Sequence, residues 1–105
     1  MKFEIIVLEQ VYEEVNESVF YYEQRQTGLG ISLLDEWENT LNNIQNNPKA
    51  FESKHANYKQ AQLDRFPYLI IFEVIEFEVI ILRFIHAKRH PLKRFRQKIE
   101  ILFSE

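Results

Sequence analysis

Residues 66–86 read FPYLIIFEVIEFEVIILRFIH, a segment dominated by β-branched and aromatic side chains. This composition predicts two strands, at residues 66–75 and 77–86, joined by a tight reversal at residues 75–77. Side chains alternate between the two faces of a strand, and both faces of the second strand are apolar. One face carries Val79, Ile81 and Ile85, and the other carries Ile80, Leu82 and Phe84. We expect such a two-sided strand pair to be covered by a layer on each face.

The residues before this pair predict two amphipathic helices. The first stops near Gly28, which can adopt the left-handed conformation of a helix cap. The second covers residues 31–46 and stops before Pro48, because the residue before a proline avoids the helical region. The apolar stripe of the first helix is Val11, Val15, Val19 and Tyr22, and that of the second is Leu34, Trp37, Leu41 and Ile44. The short link between them predicts an antiparallel helical hairpin that covers one face of the sheet.

Further segments complete the predicted fold. Residues 2–8 alternate between apolar and polar side chains and predict a half-buried strand, residues 51–57 predict a loop, and residues 58–64 predict a weaker strand. Residues 92–103 place Leu92, Phe95, Ile99 and Leu102 at helical spacing among basic residues, which predicts a basic amphipathic helix or tail. The expected fold is a single α+β domain over residues 1–105. Its hairpin of helices packs on a small antiparallel sheet of about four strands.

The charge of the chain is unevenly distributed. The whole chain has 13 Lys plus Arg, 16 Asp plus Glu and a net charge of −3, but residues 79–99 hold seven basic side chains and no acidic one. A basic segment on an acidic protein indicates an anionic partner, either nucleic acid or an acidic protein surface. The predicted binding residues are Arg83, Lys88, Arg89, Lys93, Arg94 and Arg96. Because the chain is acidic overall, we expect no sequence-specific DNA binding from it alone.

Composition also excludes several kinds of site. The chain has no Cys, which excludes disulfides, thiolate metal sites and a Cys nucleophile. Its two Gly cannot form a glycine-rich phosphate loop, and its three His do not have metal-ligand spacing, so we expect neither a cofactor nor a metal. No secretory signal or membrane span is predicted, and we therefore expect a cytoplasmic protein.

Five short motifs follow one another along the chain. They are Tyr21-Tyr22-Glu23, Gly28-Leu29-Gly30, Ile44 with Asn47-Pro48, Arg65-Phe66-Pro67-Tyr68, and His86-x-x-Arg89-x-Pro91. Together they resemble the ParE/RelE toxin superfamily over residues 3–95, and specifically its ParE side, the plasmid stabilisation proteins. The resemblance implies a toxin of a type II toxin–antitoxin system whose partner is a small antitoxin. ParE-like members act on DNA gyrase, whereas RelE-like members cut mRNA on the ribosome.

The sequence favours the ParE-like alternative. An endoribonuclease needs an acid, a base and a cation that stabilises the phosphate. RelE-like proteins place an Arg in the third strand, where this chain has Leu69, and no Tyr follows His86. We therefore expect a non-catalytic toxin that binds a protein target such as DNA gyrase. If the chain is a ribonuclease, its candidate catalytic residues are His86, Arg83, Arg89 and Arg65. A non-toxic interaction module is the third alternative.

The second sheet face is the predicted antitoxin surface. The two helices can cover only one face, and soluble monomers rarely expose a large apolar patch. An antitoxin segment that carries acidic residues is predicted to cover the other face and parts of the helical hairpin. The alternative is that residues 92–103 of the chain itself cover this face.

Overall fold

A computed structural model describes residues 2–88 of the chain. Within them the elements are β1 (Glu4–Val7), α1 (Glu9–Arg25), α2 (Leu29–Asn46), a short 3-10 turn (Pro48–Ala50), β2 (Ser53–His55), β3 (Tyr58–Gln62), β4 (Tyr68–Ile75) and β5 (Glu78–His86). The predicted basic helix at residues 92–103 lies outside the described residues. The helical hairpin and the α+β class are confirmed.

The sheet has five strands in the order β1-β5-β4-β3-β2. β2, β3, β4 and β5 pair antiparallel, but β1 pairs parallel to β5. The prediction of a small antiparallel sheet is confirmed in outline, and the structure adds a fifth strand and one parallel pairing. Residues 51–57 were predicted as a loop but contain the edge strand β2, and the first strand joins the last one in the same direction. The first strand is half-buried, as predicted, because Phe3, Ile5 and Val7 pack against the core while Ile6 is exposed.

A β-bulge in β5 changes which side chains face the helices. Ile71 pairs with Arg83 and Phe72 pairs with Ile81, so Leu82 is an extra residue without a partner in β4. The alternation therefore shifts by one residue after Leu82. Phe84 joins Val79 and Ile81 in the core below the helices, whereas Ile85 packs with Ile71 on the opposite face. The predicted face assignment of Phe84 and Ile85 was wrong for this reason.

The two helices pack on one face of the sheet. Val11 and Val15 are buried on α1, and Val19 and Tyr22 pack at the edge of the same core, as predicted. On α2 the buried residues are Gly30, Leu33, Trp37 and Ile44. Leu34 is 37% exposed, so Leu33 takes the position that the sequence analysis gave to Leu34.

Two glycines shape the link between the helices. Gly28 has a φ of +94°, in the left-handed region that favours glycine, and it precedes the first residue of α2. Gly30 lies against α1, where an added Cβ would come within 2.6 Å of the Val19 carbonyl oxygen. The Glu23 carboxylate accepts hydrogen bonds from the Gly28 and Gly30 N–H groups at 2.9 and 3.0 Å. The end of α1 therefore caps the start of α2, where the first backbone N–H groups lack helical partners.

Aromatic rings connect the layers of the core. The rings of Trp37 in α2 and Phe84 in β5 meet edge-on, with their centroids 5.4 Å apart. The rings of Tyr22 in α1 and Phe66 meet in the same way, with their centroids 5.1 Å apart. On the opposite face of the sheet, Ile71 and Ile85 are only 1% and 3% exposed and pack with Tyr58 and Leu69. None of the helices within residues 2–88 has the length and apolar character of a membrane span.

Candidate functional site

The site lies where α1 runs beside the end of β5. β1 pairs with β5 only as far as Ile81, which leaves the following backbone groups of β5 at an open edge. Two side chains of α1 bond to this edge. The Gln10 amide donates to the Leu82 carbonyl at 3.2 Å, and the Phe84 N–H donates to Glu14 Oε1 at 2.9 Å. These bonds satisfy strand groups that would otherwise need another strand.

Glu14 also neutralises Arg83. Its Oε2 accepts hydrogen bonds from Arg83 Nη2 at 2.6 Å and from Arg83 Nε at 2.7 Å. Arg83 is 7% exposed, so nearly all of its surface is withdrawn from solvent. A buried guanidinium needs such a partner, because an unpaired charge in the protein interior is strongly unfavourable. The Arg83 charge is therefore used inside the fold.

Arg65 is held by the other helix. Its backbone N–H and its Nε donate to the two oxygens of Glu36 in α2, at 3.0 and 2.6 Å. This bidentate contact attaches the segment between β3 and β4 to α2. Two of the predicted ribonuclease cations, Arg65 and Arg83, are thus bonded to carboxylates of different helices. Arg89, the third, lies outside the described residues.

His86 is the last residue of β5 and is half-buried. Its Nδ1 accepts a hydrogen bond from the Lys88 N–H at 3.1 Å, and its ring meets the edge of the Tyr68 ring at 5.2 Å. Because Nδ1 accepts, the neutral imidazole carries its proton on Nε2. His86 is thereby oriented by its own turn and by the aromatic residue that pairs with it across the strands.

A cleft of about 160 Å³ opens between α1 and the ends of β4 and β5. It is lined by Glu14, Glu17, Ser18, Tyr68, Phe84, Ile85 and His86. Of these residues the sequence analysis proposed only His86 for chemistry. The sequence does place Glu14, Glu17 and Ser18 on one helix face, because they are three and four residues apart. What the sequence did not contain was the pairing of that face with the end of β5.

The two predicted binding residues that the structure describes, Arg83 and Lys88, do not form a continuous basic surface. Lys88 is exposed and Arg83 is buried in its ion pair. Arg89, Lys93, Arg94 and Arg96 lie outside the described residues, so the basic binding segment stays a prediction. Within residues 2–88, no three His, Asp or Glu side chains come together in a way that could hold a metal ion.

Comparison with known proteins gives a likeness of fold. The sequence matches no protein-family model and no curated protein sequence. Among solved structures, the chain is similar to one described as "Chromosomal ParDE TA system from P. aeruginosa", with a TM-score of 0.72 and 13% sequence identity. The match covers 81% of this chain and 96% of that one. At 13% identity this likeness concerns the fold alone, and the shared fold agrees with the fold that the resemblance in the five motifs implies.

Proposed function

We propose that the chain is the toxin of a type II toxin–antitoxin system, of the ParE kind. The observation that carries this proposal is the similarity in fold, over nearly the full length of the other chain, to a structure of a ParDE toxin–antitoxin system. The five motifs support the same assignment independently, because they were identified without the fold. In this proposal the chain inhibits growth by binding a protein target such as DNA gyrase, and a cognate antitoxin neutralises it.

The geometry around His86 supports a toxin that binds rather than cleaves. Stabilising the phosphate in RNA cleavage requires a cation beside the acid and base. Arg83 is already bonded to Glu14 and Arg65 to Glu36. In addition, the cleft next to His86 is lined by Glu14 and Glu17, and carboxylates repel a phosphate. A ribosome-dependent endoribonuclease remains the competing function that the experiment below is designed to detect.

For the antitoxin we propose a surface on the outside of the helical hairpin. Four large apolar side chains are exposed there: Tyr12 and Phe20 on α1, and Ile31 and Leu34 on α2. Phe20 is the most exposed of them, at 63%. Apolar anchors of this size dominate the affinity of segments that become ordered on binding. The second sheet face, with Ile71 and Ile85 already buried, offers less exposed apolar area than the sequence analysis expected.

Expression of the chain alone in bacteria separates the possible functions. We expect growth inhibition with double-strand DNA breaks and intact mRNA. Codon-linked mRNA cuts would instead establish the ribonuclease, and normal growth would establish a non-toxic module. Co-expression of a small gene immediately upstream, if it encodes an antitoxin, is expected to restore growth.

His86→Ala is expected to leave growth inhibition largely intact in a stably folded protein, and a complete loss would contradict the non-enzymatic proposal.

A further inference from the structure

The Tyr68 hydroxyl is the polar group that the fold leaves unexplained. Tyr68 is 4% exposed, and its ring is stacked on Phe84 at 4.6 Å with the two planes 2° apart. Within residues 2–88 no group is hydrogen-bonded to its hydroxyl. In the same part of the chain no fully enclosed side-chain oxygen lacks a partner, so this hydroxyl is not sealed in the core. Tyr68 is one of the residues that line the cleft, and the hydroxyl is the polar group of its side chain.

Besides His86, whose Nδ1 accepts the Lys88 N–H, the other polar groups of the cleft are mainly acceptors. Glu17 is exposed and contributes a negative charge, whereas both oxygens of Glu14 are bonded to Arg83 and to the Phe84 N–H. Ser18 Oγ donates to the Glu14 carbonyl at 2.9 Å, which leaves its lone pairs available. A ligand for these walls must donate hydrogen bonds in several directions and carry a positive charge.

We propose that this cleft binds the guanidinium group of an arginine side chain presented by a partner protein. A guanidinium has five N–H donors in a planar fork and stays charged at every physiological pH, which matches acceptors on Glu17, Ser18 and Tyr68. The volume of about 160 Å³ suits a side-chain head group and is smaller than the sites that hold drug-sized ligands. This assignment does not depend on the chain being a toxin.

The experiment is a titration of the purified full-length protein with N-acetyl-arginine amide, followed by NMR of the Tyr68 and His86 ring signals. We expect saturable shifts with a dissociation constant in the millimolar range, since a single side-chain group binds weakly. The citrulline analogue has the same shape without the charge, and it is expected to bind several-fold more weakly. Equal binding of the citrulline analogue, tighter binding of the lysine amide, or shifts that never saturate would overturn the proposal.

Matched variants locate the binding. Glu17→Gln removes the charge and Tyr68→Phe removes the hydroxyl but keeps the ring, and each is expected to raise the dissociation constant roughly threefold or more. Glu13→Gln is the control, because Glu13 is exposed on the same helix and does not line the cleft. An equal effect of Glu13→Gln and Glu17→Gln would show non-specific attraction to an acidic helix and would contradict the site. Unchanged spectra elsewhere in each variant establish that it is folded.

Discussion

Glu14 connects α1 to β5 through both of its carboxylate oxygens. One oxygen accepts the Phe84 N–H, and the other holds the Arg83 guanidinium at 2.6 Å. One side chain therefore both closes a strand edge and neutralises a buried cation. The pair is internal and fixed, which is why Arg83 is a structural residue in this fold despite its place in the basic stretch.

Glu14→Gln is expected to reduce the free energy of unfolding by about 2–4 kcal/mol, because it leaves the Arg83 charge buried without a counter-ion. The glutamine can still accept from the Phe84 N–H, so the loss reports mainly on the ion pair. Urea unfolding of the two proteins measures the difference. Glu13→Gln, one residue earlier and exposed, should change stability by no more than about 0.5 kcal/mol. If Glu14→Gln were as stable as the unmodified protein, the ion pair would contribute nothing.

Ala56 is an alanine in a conformation that favours glycine. It lies between β2 and β3 with a φ of +51°. In this conformation the Cβ of alanine costs about 1–2 kcal/mol of steric strain, which glycine avoids. Glycine loses more backbone entropy on folding, so only part of that energy is regained. Ala56→Gly is therefore expected to stabilise the protein by about 0.5–1 kcal/mol, read as a higher thermal unfolding midpoint. A lower midpoint would show that the turn is not strained.

At the scale of elements, the contact between the helices depends on a missing side chain. Gly30 allows α2 to approach α1 so closely that a Cβ would come within 2.6 Å of the Val19 carbonyl oxygen and 2.9 Å of the Glu23 Cβ. The obstacle is partly backbone, so it cannot move aside like a flexible side chain. Glu23 then bonds the first N–H groups of α2. The hairpin is thus fixed by close approach and by capping together.

Gly30→Ala is expected to destabilise the protein by about 2–3 kcal/mol, because the helices must separate to admit the methyl group. Gly28→Asn is the matched variant in the same link. Gly28 has no atom within 4 Å of an added Cβ, and asparagine tolerates its left-handed conformation, so we expect a loss below about 1 kcal/mol. Equal losses for the two variants, measured by urea unfolding, would contradict the steric explanation for Gly30.

The positions of the helices and strands could be predicted from the sequence more reliably than which of their side chains are buried and how the strands pair. The hairpin of helices follows from the periodicity of its apolar stripes, and the strands β4 and β5 follow from their β-branched and aromatic composition. Leu33 and Leu34 are adjacent and equally apolar, and only the packing of Gly30 against α1 decides which of them is buried. The shift after Leu82 comes from the way β5 pairs with β4, in which Leu82 has no partner, and no local sequence pattern records that pairing.

The same limit applies to the candidate site. His86 could be proposed from its residue type and its place at the end of a strand. Glu14 and Tyr68 could not, because their roles arise from contacts between separate segments of the chain, and the bond from Phe84 to Glu14 spans 70 residues. A carboxylate on a predicted helix is usually exposed, and only the folded edge of β5 distinguishes Glu14 from Glu13.

For the whole molecule, the distribution of charge limits what the described body can bind. Residues 2–88 contain 14 acidic and 8 basic side chains, and three of the basic ones, Lys54, Arg65 and Arg83, are bonded to carboxylates. Such a body repels a polyanion at long range. Basic residues that follow Lys88 along the sequence carry an excess of positive charge that is not balanced within their own segment. Association with an anionic partner should therefore depend on that segment and on low salt.

The purified chain is expected to bind duplex DNA only weakly and without sequence preference. At about 150 mM salt, electrophoretic mobility of a short duplex should be unchanged at micromolar protein, and any binding at low salt should be lost steeply as salt increases. Replacing Lys93, Arg94 and Arg96 by Gln should abolish the low-salt binding, whereas Lys49→Gln, on the 3-10 turn, should not. Tight, salt-resistant binding would contradict this prediction.

The parallel pairing of β1 with β5 has a consequence for synthesis of the protein. Glu4 meets Glu78, and the bonds from Gln10 to Leu82 and from Glu14 to Arg83 span 72 and 69 residues of sequence. Contacts between such distant residues form late and slow the folding of a chain. During translation β1 and α1 leave the ribosome long before their partner strand exists. A nascent chain that has not yet extruded β5 therefore has neither a closed sheet nor the cleft beside His86.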